Sequence, residues 1–239
     1  ADALKNVPAN KPGNYYEALV FMKIIIYSLR SSHVDHVTLG RFDQYMYPYY
    51  LASIRNGVTE KEISEQTELF FISLNLDTDL YCGVQQGDNG QSLVLGGRTP
   101  EKADAYNELS EIIMTAAEEL CLIDPKINLR VDKNTPLSRF IRATRLTKKG
   151  LGFPQYLNDD IVIPGLEKLG YEYKDACDYA VAACWEFIVP AESYDVSNIV
   201  TMNFPLVVRR ATMCSLCKCD NYDEFFTCVC QSLYDFFEQ

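Results

Sequence analysis

The chain has 239 residues, of which 48% are apolar and 23% are charged, and its formal net charge is −11. This length is sufficient for a large domain with a buried core, and the two fractions are typical of globular proteins. The negative charge argues against nucleic-acid binding, because a phosphate backbone would be repelled. The sequence shows no membrane-spanning run and no signal-peptide pattern, so we expect a cytoplasmic protein whose nine cysteines are reduced.

Helices and strands are predicted to alternate along the chain. Capping patterns at Asn14 and Thr59 predict two helices, the first of them apolar almost all round. Between these helices, segment 40–50 is predicted to be buried and extended, because Pro48 disfavours a helix. The other predicted elements are strands 92–95, 127–131 and 198–204 and helices 104–122, 135–149, 161–169, 206–213 and 221–239. This alternation indicates a single domain of the α/β class.

Cys184 and Glu186 are the candidate catalytic residues. In an extended chain, residues two apart point the same way and lie about 6.5 Å apart, so a thiol and an acid would face one substrate. Cys184 could instead be a core residue, a thiolate nucleophile or half of a redox dithiol. A thiolate lacks a convincing partner, since His33 and His36 are the only histidines, and no second cysteine lies at Cys-x-x-Cys spacing. A one-electron role for the sulfur needs neither partner.

Two further groups of residues have side chains that bind metals. His33 and His36 are three apart, and we interpret them as loop residues because no third ligand is near them in the sequence. A cysteine cluster has spacings that suit zinc or an iron–sulfur centre, and its members are Cys214, Cys217, Cys219, Cys228 and Cys230. Because Cys228 and Cys230 lie on different faces of a predicted helix, we predict no metal site and keep a zinc or iron–sulfur protein as an alternative.

Several longer patterns occur in order along the chain. They are Gly40-Arg-Phe-Asp-Gln-Tyr-Met-Tyr-Pro-Tyr-Tyr50, Leu95-Gly-Gly97 with Asn107-Glu-Leu109, Asn128-Leu-Arg130, Gly152-Phe-Pro-Gln-Tyr-Leu-Asn-Asp159 and Ala183-Cys-Trp-Glu186. With them the sequence resembles the glycyl radical enzymes, which include pyruvate formate-lyase and the glycerol, propanediol, choline and hydroxyproline lyases or dehydratases. The resemblance implies part of a ten-stranded α/β barrel, with two five-stranded half-sheets wrapped by helices and the cysteine on an interior loop.

The same resemblance implies roles for individual residues. Cys184 would become a thiyl radical that takes hydrogen from the substrate, and Glu186 would be the general base of the dehydratase/lyase branch. Trp185 stands where pyruvate formate-lyase has a second cysteine, so we expect cleavage of a C–O or C–N type bond in a small organic substrate. Asp195, Trp185 and Phe187 are expected to bind that substrate. A buried site would protect the radical and raise the pKa of the carboxylate.

Two departures from the family pattern bear on activity. Ala183 stands where the family usually has glycine, and the glycine-bearing C-terminal motif is not found in the sequence. We therefore expect residues 1–239 to be the central portion of one barrel domain, inactive by itself. The resemblance implies no directly bound cofactor, a glycyl radical outside this chain, a radical S-adenosylmethionine activating enzyme as partner, and a homodimer. The alternatives are formate C-acetyltransferase-like or radical decarboxylase activity, and a degenerate or split module that binds without catalysis.

Overall fold

The computed structural model describes residues 2–32, 37–76, 90–183, 185–193 and 203–237. The chain forms two compact units, Ala1–Val196 and Ser197–Gln239. Each unit is mostly helical, and the strands lie in the first. In the parts of the chain that the structure describes, no helix is both long and apolar enough to cross a membrane.

The first unit contains helices and strands in alternation over most of its length. Its elements are α1 Ala3–Asn6, α2 Tyr15–Ser31, α3 Phe42–Tyr45, α4 Tyr47–Arg55, α5 Glu60–Asn75, β1 Ser92–Gly96, α6 Glu108–Leu120, β2 Lys126–Val131, α7 Leu137–Thr147, β3 Gln155–Asn158, α8 Asp159–Lys168, α9 Tyr173–Ala176, β4 Ala180–Ala182 and β5 Glu186–Ile188. The second unit contains α10 Phe204–Ser215, a 3-10 turn at Leu216–Lys218 and α11 Tyr222–Phe237. The mixed α/β class predicted from the sequence is confirmed.

Strands β1, β2 and β3 form a parallel sheet in that order, with Leu93 opposite Ile127 and Asn128 opposite Gln155. Gly40 makes one further parallel bridge to β1. Helices α6 and α7 connect the three strands, as parallel pairing requires a crossover. Leu93 and Leu95 pack into one apolar cluster, and Val94 packs into another on the opposite side. Both faces of the sheet are therefore covered, as is usual for parallel strands.

The helix caps that the sequence predicts at Asn14 and Thr59 are present. The Asn14 side chain accepts a hydrogen bond from the Glu17 amide at the start of α2. Thr59 and Glu62 form a complete capping box before α5, with each side chain bound to the other residue's backbone amide. These contacts satisfy amides that have no partner within the helix. The predicted helices at both positions are confirmed.

Several predicted elements are wrong in detail. Segment 40–50 is not extended but contains α3 and the start of α4, where Pro48 occupies the first turn. Proline is tolerated there because a first-turn amide has no acceptor within the helix. Helix α6 starts at Glu108 rather than 104, because Asn107 caps it. Strand β3 was not predicted, and the predicted strand 198–204 lies largely outside the described residues.

The buried faces of two helices also differ from prediction. Helix α2 is not surrounded by protein, since Tyr16 and Tyr27 on it are exposed. In α5, the apolar pattern predicts that Ile63, Leu69, Phe70 and Leu74 are buried; Leu69 is 64% exposed, whereas the other three and Phe71 are buried. An apolar residue can remain on the surface because polar residues are too few to cover a folded protein. The apolar composition of α2 and α5 therefore overestimates the fraction of each helix surface that is buried.

Candidate active site

The candidate catalytic residues belong to a short hairpin that follows the sheet. Strands β4 and β5 pair antiparallel with Ala182 opposite Glu186. Ala183 and Trp185 are turn residues on either side of Cys184 in the sequence. Cys184 itself lies outside the described residues, so the predicted distance between its thiol and the carboxylate stays a prediction. Asp195, His33 and His36 also lie outside the described residues.

Ala183 has an unusual backbone conformation. Its φ of +45° lies in the left-handed region, which costs an L-residue roughly 1–2 kcal/mol. Glycine has no Cβ and adopts this conformation without that penalty. The turn geometry therefore gives a physical reason why glycine suits this position and shows that alanine is accommodated.

Ser92 anchors this turn to the sheet. Its Oγ donates a hydrogen bond to the carbonyl oxygen of Ala183 at 2.6 Å, and both residues are buried. Ser92 is the first residue of β1, two residues before Val94, so its side chain points to the hairpin side of the sheet. Ala183, the residue immediately before Cys184, is thus held by the hydroxyl group of Ser92 from strand β1.

Replacing Ser92 by alanine should lower the free energy of unfolding by about 1–3 kcal/mol, because the buried Ala183 carbonyl would lose its hydrogen-bond donor. Denaturant unfolding measures this change. Ser28→Ala is the matched control, because Ser28 is exposed and bonds only within its helix. We expect the control to stay within about 0.5 kcal/mol of the parent. Equal effects of the two changes would refute the anchoring role.

Behind the hairpin, Arg130 and Asp159 form a fully buried ion pair. The Arg130 Nε and Nη2 atoms donate to the two carboxylate oxygens of Asp159, each at 2.9 Å. The side chains are 0% and 1% exposed. Burial opposes the charge of Arg130, yet Tyr179 and Asp159 outweigh it and raise the pKa of the guanidinium. Arg130 is therefore charged, and two hydrogen bonds fix its orientation on Asp159.

The Arg130–Asp159 pair also contacts residues 177–179, which lead into β4. Arg130 Nη1 donates to the carbonyl oxygens of Cys177 at 2.8 Å and Tyr179 at 3.2 Å. The Tyr179 hydroxyl donates to Asp159 at 2.7 Å, and the guanidinium lies 3.9 Å from the centre of its ring. The Tyr179 ring in turn meets the Phe187 ring edge-on at 5.6 Å. One charged network thereby fixes both strands of the hairpin.

A second arginine holds the same segment from another side. Arg41 donates to the Cys177 carbonyl at 3.1 Å, to Asp178 at 3.1 Å and to the Gly96 carbonyl at 3.1 Å. Burial and then the nearby charge of Arg130 lower the pKa of the Arg41 guanidinium. Arg41 therefore ties the first family motif to the hairpin. The two arginines together hold residues 177–179.

The three hairpin residues predicted to form the site are exposed. Trp185 is 55% exposed and Phe187 is 44% exposed, and Glu186 is exposed as well. A Glu186 carboxylate oxygen accepts a hydrogen bond from the Trp185 amide at 2.9 Å. The described residues thus leave this carboxylate exposed, and its burial in the complete site stays a prediction.

A cavity of about 550 Å³ adjoins the hairpin. Polar groups of Arg41 and Asp178 and apolar groups of Leu39, Ala180 and Ile188 line it. Trp185, Glu186 and Phe187 are not among the described residues of its wall. Whether Cys184 or Asp195 adjoins this cavity stays a prediction, because both lie outside the described residues.

The cysteine cluster lies in the second unit. In it, Cys219 and Cys228 are in contact, with their sulfur atoms 4.0 Å apart. Among the residues that the structure describes, no group of three or more His, Cys, Asp or Glu side chains is arranged to hold a metal ion. The geometry favours a pair of thiols rather than a four-ligand centre.

Sequence reasoning did not assign a role to the residues that position the hairpin. They are Ser92, Arg130, Asp159 and Tyr179. The available signal is an arginine in a strand with a buried centre, because a buried charge needs a partner. The partner is not evident from the sequence, because Asn158, Asp159 and Asp160 together are typical of a polar loop.

A family model described as "Pyruvate formate lyase-like" matches residues 1–212. Isethionate sulfite-lyase of Oleidesulfovibrio alaskensis is 28% identical over 207 residues, which are 83% of this chain and 25% of that protein. The (2S)-3-sulfopropanediol dehydratase of Klebsiella oxytoca is 26% identical over 213 residues, 86% of this chain and 26% of that protein. The chain thus spans about a quarter of the length of these relatives.

The chain is also similar to a solved structure from work on 1,2-propanediol dehydration in Roseburia inulinivorans. It superposes with a TM-score of 0.80 and 26% sequence identity, covering 97% of this chain and 32% of that chain. The arrangement of the sheet and helices is therefore shared with a dehydrating enzyme over nearly all of these residues.

Proposed function

Because the chain belongs to the pyruvate formate lyase-like family, we propose that it forms part of a glycyl radical enzyme of the dehydratase/lyase branch. Three similar proteins, a sulfite-lyase and two dehydrating enzymes, support this branch. The observation that carries the proposal is the hairpin, in which Glu186 begins β5 and the turn residues Ala183 and Trp185 flank Cys184 in the sequence. Ser92 holds Ala183, and Arg130 holds the chain that leads into β4.

The parallel sheet and the hairpin would belong to one half of a ten-stranded barrel, with Cys184 on an interior loop. The short coverage of the relatives supports this, since a quarter of such a protein provides only some of its strands. The exposed tip of the hairpin fits the same arrangement. Trp185, Glu186 and Phe187 would be covered by further segments of the barrel, and the carboxylate would then be desolvated.

In the proposed reaction, the thiol of Cys184 loses its hydrogen atom and becomes a thiyl radical. The radical centre outside this chain supplies that one-electron oxidation, after installation by a radical S-adenosylmethionine activating enzyme. The exposed turn residue Trp185 leaves room for a segment bearing such a centre. No directly bound cofactor is needed by the residues of the hairpin.

The thiyl sulfur of Cys184 then takes a hydrogen atom from a substrate carbon that carries a hydroxyl group. Glu186 accepts the hydroxyl proton, and the bond between the adjacent carbon and its leaving group breaks, with the electron pair departing on that group. The product radical recovers a hydrogen atom from Cys184, which restores the thiyl. Trp185, Phe187 and Asp195 would contact the substrate.

Replacing Glu186 by glutamine in the full-length, activated protein should lower kcat by about 10²- to 10⁴-fold, the usual contribution of a general base. Product formation is measured with isethionate, (2S)-3-sulfopropanediol and 1,2-propanediol, the compounds that the similar proteins suggest. Glu192→Gln is the matched control, because Glu192 is also exposed and lies just after the hairpin. We expect the control to keep the parent kcat.

An unchanged kcat in Glu186→Gln would overturn the role of this carboxylate. If the parent carries the radical but converts no compound of these classes, the dehydratase/lyase proposal fails and formate C-acetyltransferase-like or radical decarboxylase activity is favoured; a parent that cannot carry the radical favours the non-catalytic module. A homodimer remains a prediction that sedimentation of the full-length protein would test.

A further inference from the structure

The second unit presents a cysteine pair that the proposed reaction does not use. Cys219 follows the 3-10 turn in an extended conformation, with φ −99° and ψ 136°. Cys228 lies within α11, one turn after its Glu224. Their sulfur atoms are 4.0 Å apart, which is contact between two reduced thiols. Both residues are partly exposed, so a small reagent can reach them.

A disulfide requires the two sulfur atoms to approach to about 2.05 Å. Cys228 is fixed by its helix, whereas Cys219 lies in a connection outside regular structure. The side chain and backbone of Cys219 can therefore adjust toward Cys228 without breaking a helix. The sulfurs face a cavity of about 570 Å³ that Cys214, Lys218 and Glu224 also line, which gives the reagent access.

The charges around Cys219 and Cys228 affect the reactivity of the two thiols. Burial, contact with Cys228 and the nearby carboxylates of Glu224 and Asp220 raise the pKa of the Cys219 thiol. A raised pKa lowers the thiolate fraction of Cys219 and makes its sulfur a poor leaving group, so the pair reacts slowly with peroxide and its disulfide exchanges slowly with an added dithiol. The same carboxylates disfavour anionic reagents and leave a neutral oxidant as the better match.

We propose that Cys219 and Cys228 form a two-electron dithiol site that a hydroperoxide oxidises to an intrachain disulfide. One thiolate attacks a peroxide oxygen, the O–O bond breaks, and a sulfenic acid and water form. The other thiol attacks the sulfenic sulfur, the S–S bond forms, the S–O bond breaks, and a second water leaves. Two thiols and one hydrogen peroxide thus give one disulfide and two waters. The linkage joins the 3-10 turn to α11.

The test uses the full 239-residue chain, fully reduced and then treated with one equivalent of hydrogen peroxide. Peptide mapping without reduction should show a linked pair of the peptides that contain Cys219 and Cys228. Dithiothreitol should reverse the linkage. Chain statistics alone favour cysteines closer in sequence, such as Cys214 with Cys217. A preference for linking Cys219 to Cys228 would therefore arise from the folded structure. Protein unfolded in guanidinium should lose this preference.

Cys219→Ser and Cys228→Ser should each abolish the linked peptide. Cys230→Ser is the matched control, because Cys230 is in the same helix and is also partly exposed. It should leave the linked peptide unchanged. Circular dichroism establishes that each variant retains its helices. A different linked pair in the folded parent, or accumulation of sulfinic acid at Cys219 or Cys228 without a disulfide, would overturn the proposal.

Discussion

Replacement of Cys184 by alanine in the full-length, activated protein should abolish turnover and leave the glycyl radical signal in place. Alanine has no thiol hydrogen to give up, so the hydrogen atom of the substrate has no acceptor. The radical itself would be stored elsewhere and would survive the change. Product assays and electron paramagnetic resonance on the same sample measure the two quantities together.

Cys121→Ala is the matched control for this result, since Cys121 is exposed and follows α6, outside the hairpin. It should retain both turnover and the radical signal. Surviving activity in Cys184→Ala would contradict the proposed role of the sulfur. Loss of the radical signal in that variant would instead show that the cysteine acts in radical installation.

Replacing Arg130 by methionine should lower the free energy of unfolding by about 3–5 kcal/mol, the usual effect of breaking a buried ion pair. Asp159 would remain as a buried carboxylate, with only the Tyr179 hydroxyl and the Arg98 amide as described donors. The carbonyl oxygens of Cys177 and Tyr179 would also lose a partner. Denaturant unfolding monitored by circular dichroism measures the change.

Lys61→Met provides the matched control, because Lys61 also pairs with a carboxylate, Glu65, but is 86% exposed. We expect it to change stability by less than about 0.5 kcal/mol. The double variant Arg130→Met with Asp159→Asn should be less destabilised than the sum of the single changes. Strict additivity would show that the two side chains do not act as a pair.

Local signals in the sequence predicted much of the secondary structure. Asn14 and Thr59 mark helix starts, because their side chains bind amides only three residues away. The apolar run of β1 was also recognised, since a parallel strand covered on both faces is apolar on both. Interactions over a few residues are encoded within a short stretch of sequence and are therefore predictable.

Pro48 and Leu69 show where local arguments are insufficient. Pro48 disfavours the interior of a helix but suits its first turn, and its position depended on where α4 begins. Leu69 is apolar, yet the face of α5 that packs is determined by α2 and α6 rather than by α5 itself. Boundaries and buried faces depend on partners distant in sequence.

In the candidate site, too, local sequence predicts some features, whereas others depend on residues distant in sequence. The family pattern offers Cys184 and Glu186 as candidates whose roles stay predictions, and the structure places Glu186 at the start of β5 beside the turn residue Trp185. The supporting residues Ser92 and Arg130 precede the hairpin in the sequence by some 50 to 90 residues, and their contacts follow from the sheet and its crossovers. No local pattern links a strand residue to a turn so far along the chain.

The buried arginine has a consequence for inheritance. Gly97 has a φ of +89°, and a Cβ atom added there would overlap the Arg130 side chain. A lineage that retains Arg130 must therefore retain Gly97, and the buried charge requires Asp159 as well. Loss of the arginine would remove the overlap but not the positive φ, so Gly97 would still be favoured, whereas Asp159 would become disadvantageous. Arg130 and Asp159 should therefore have changed together or not at all over the history of the family.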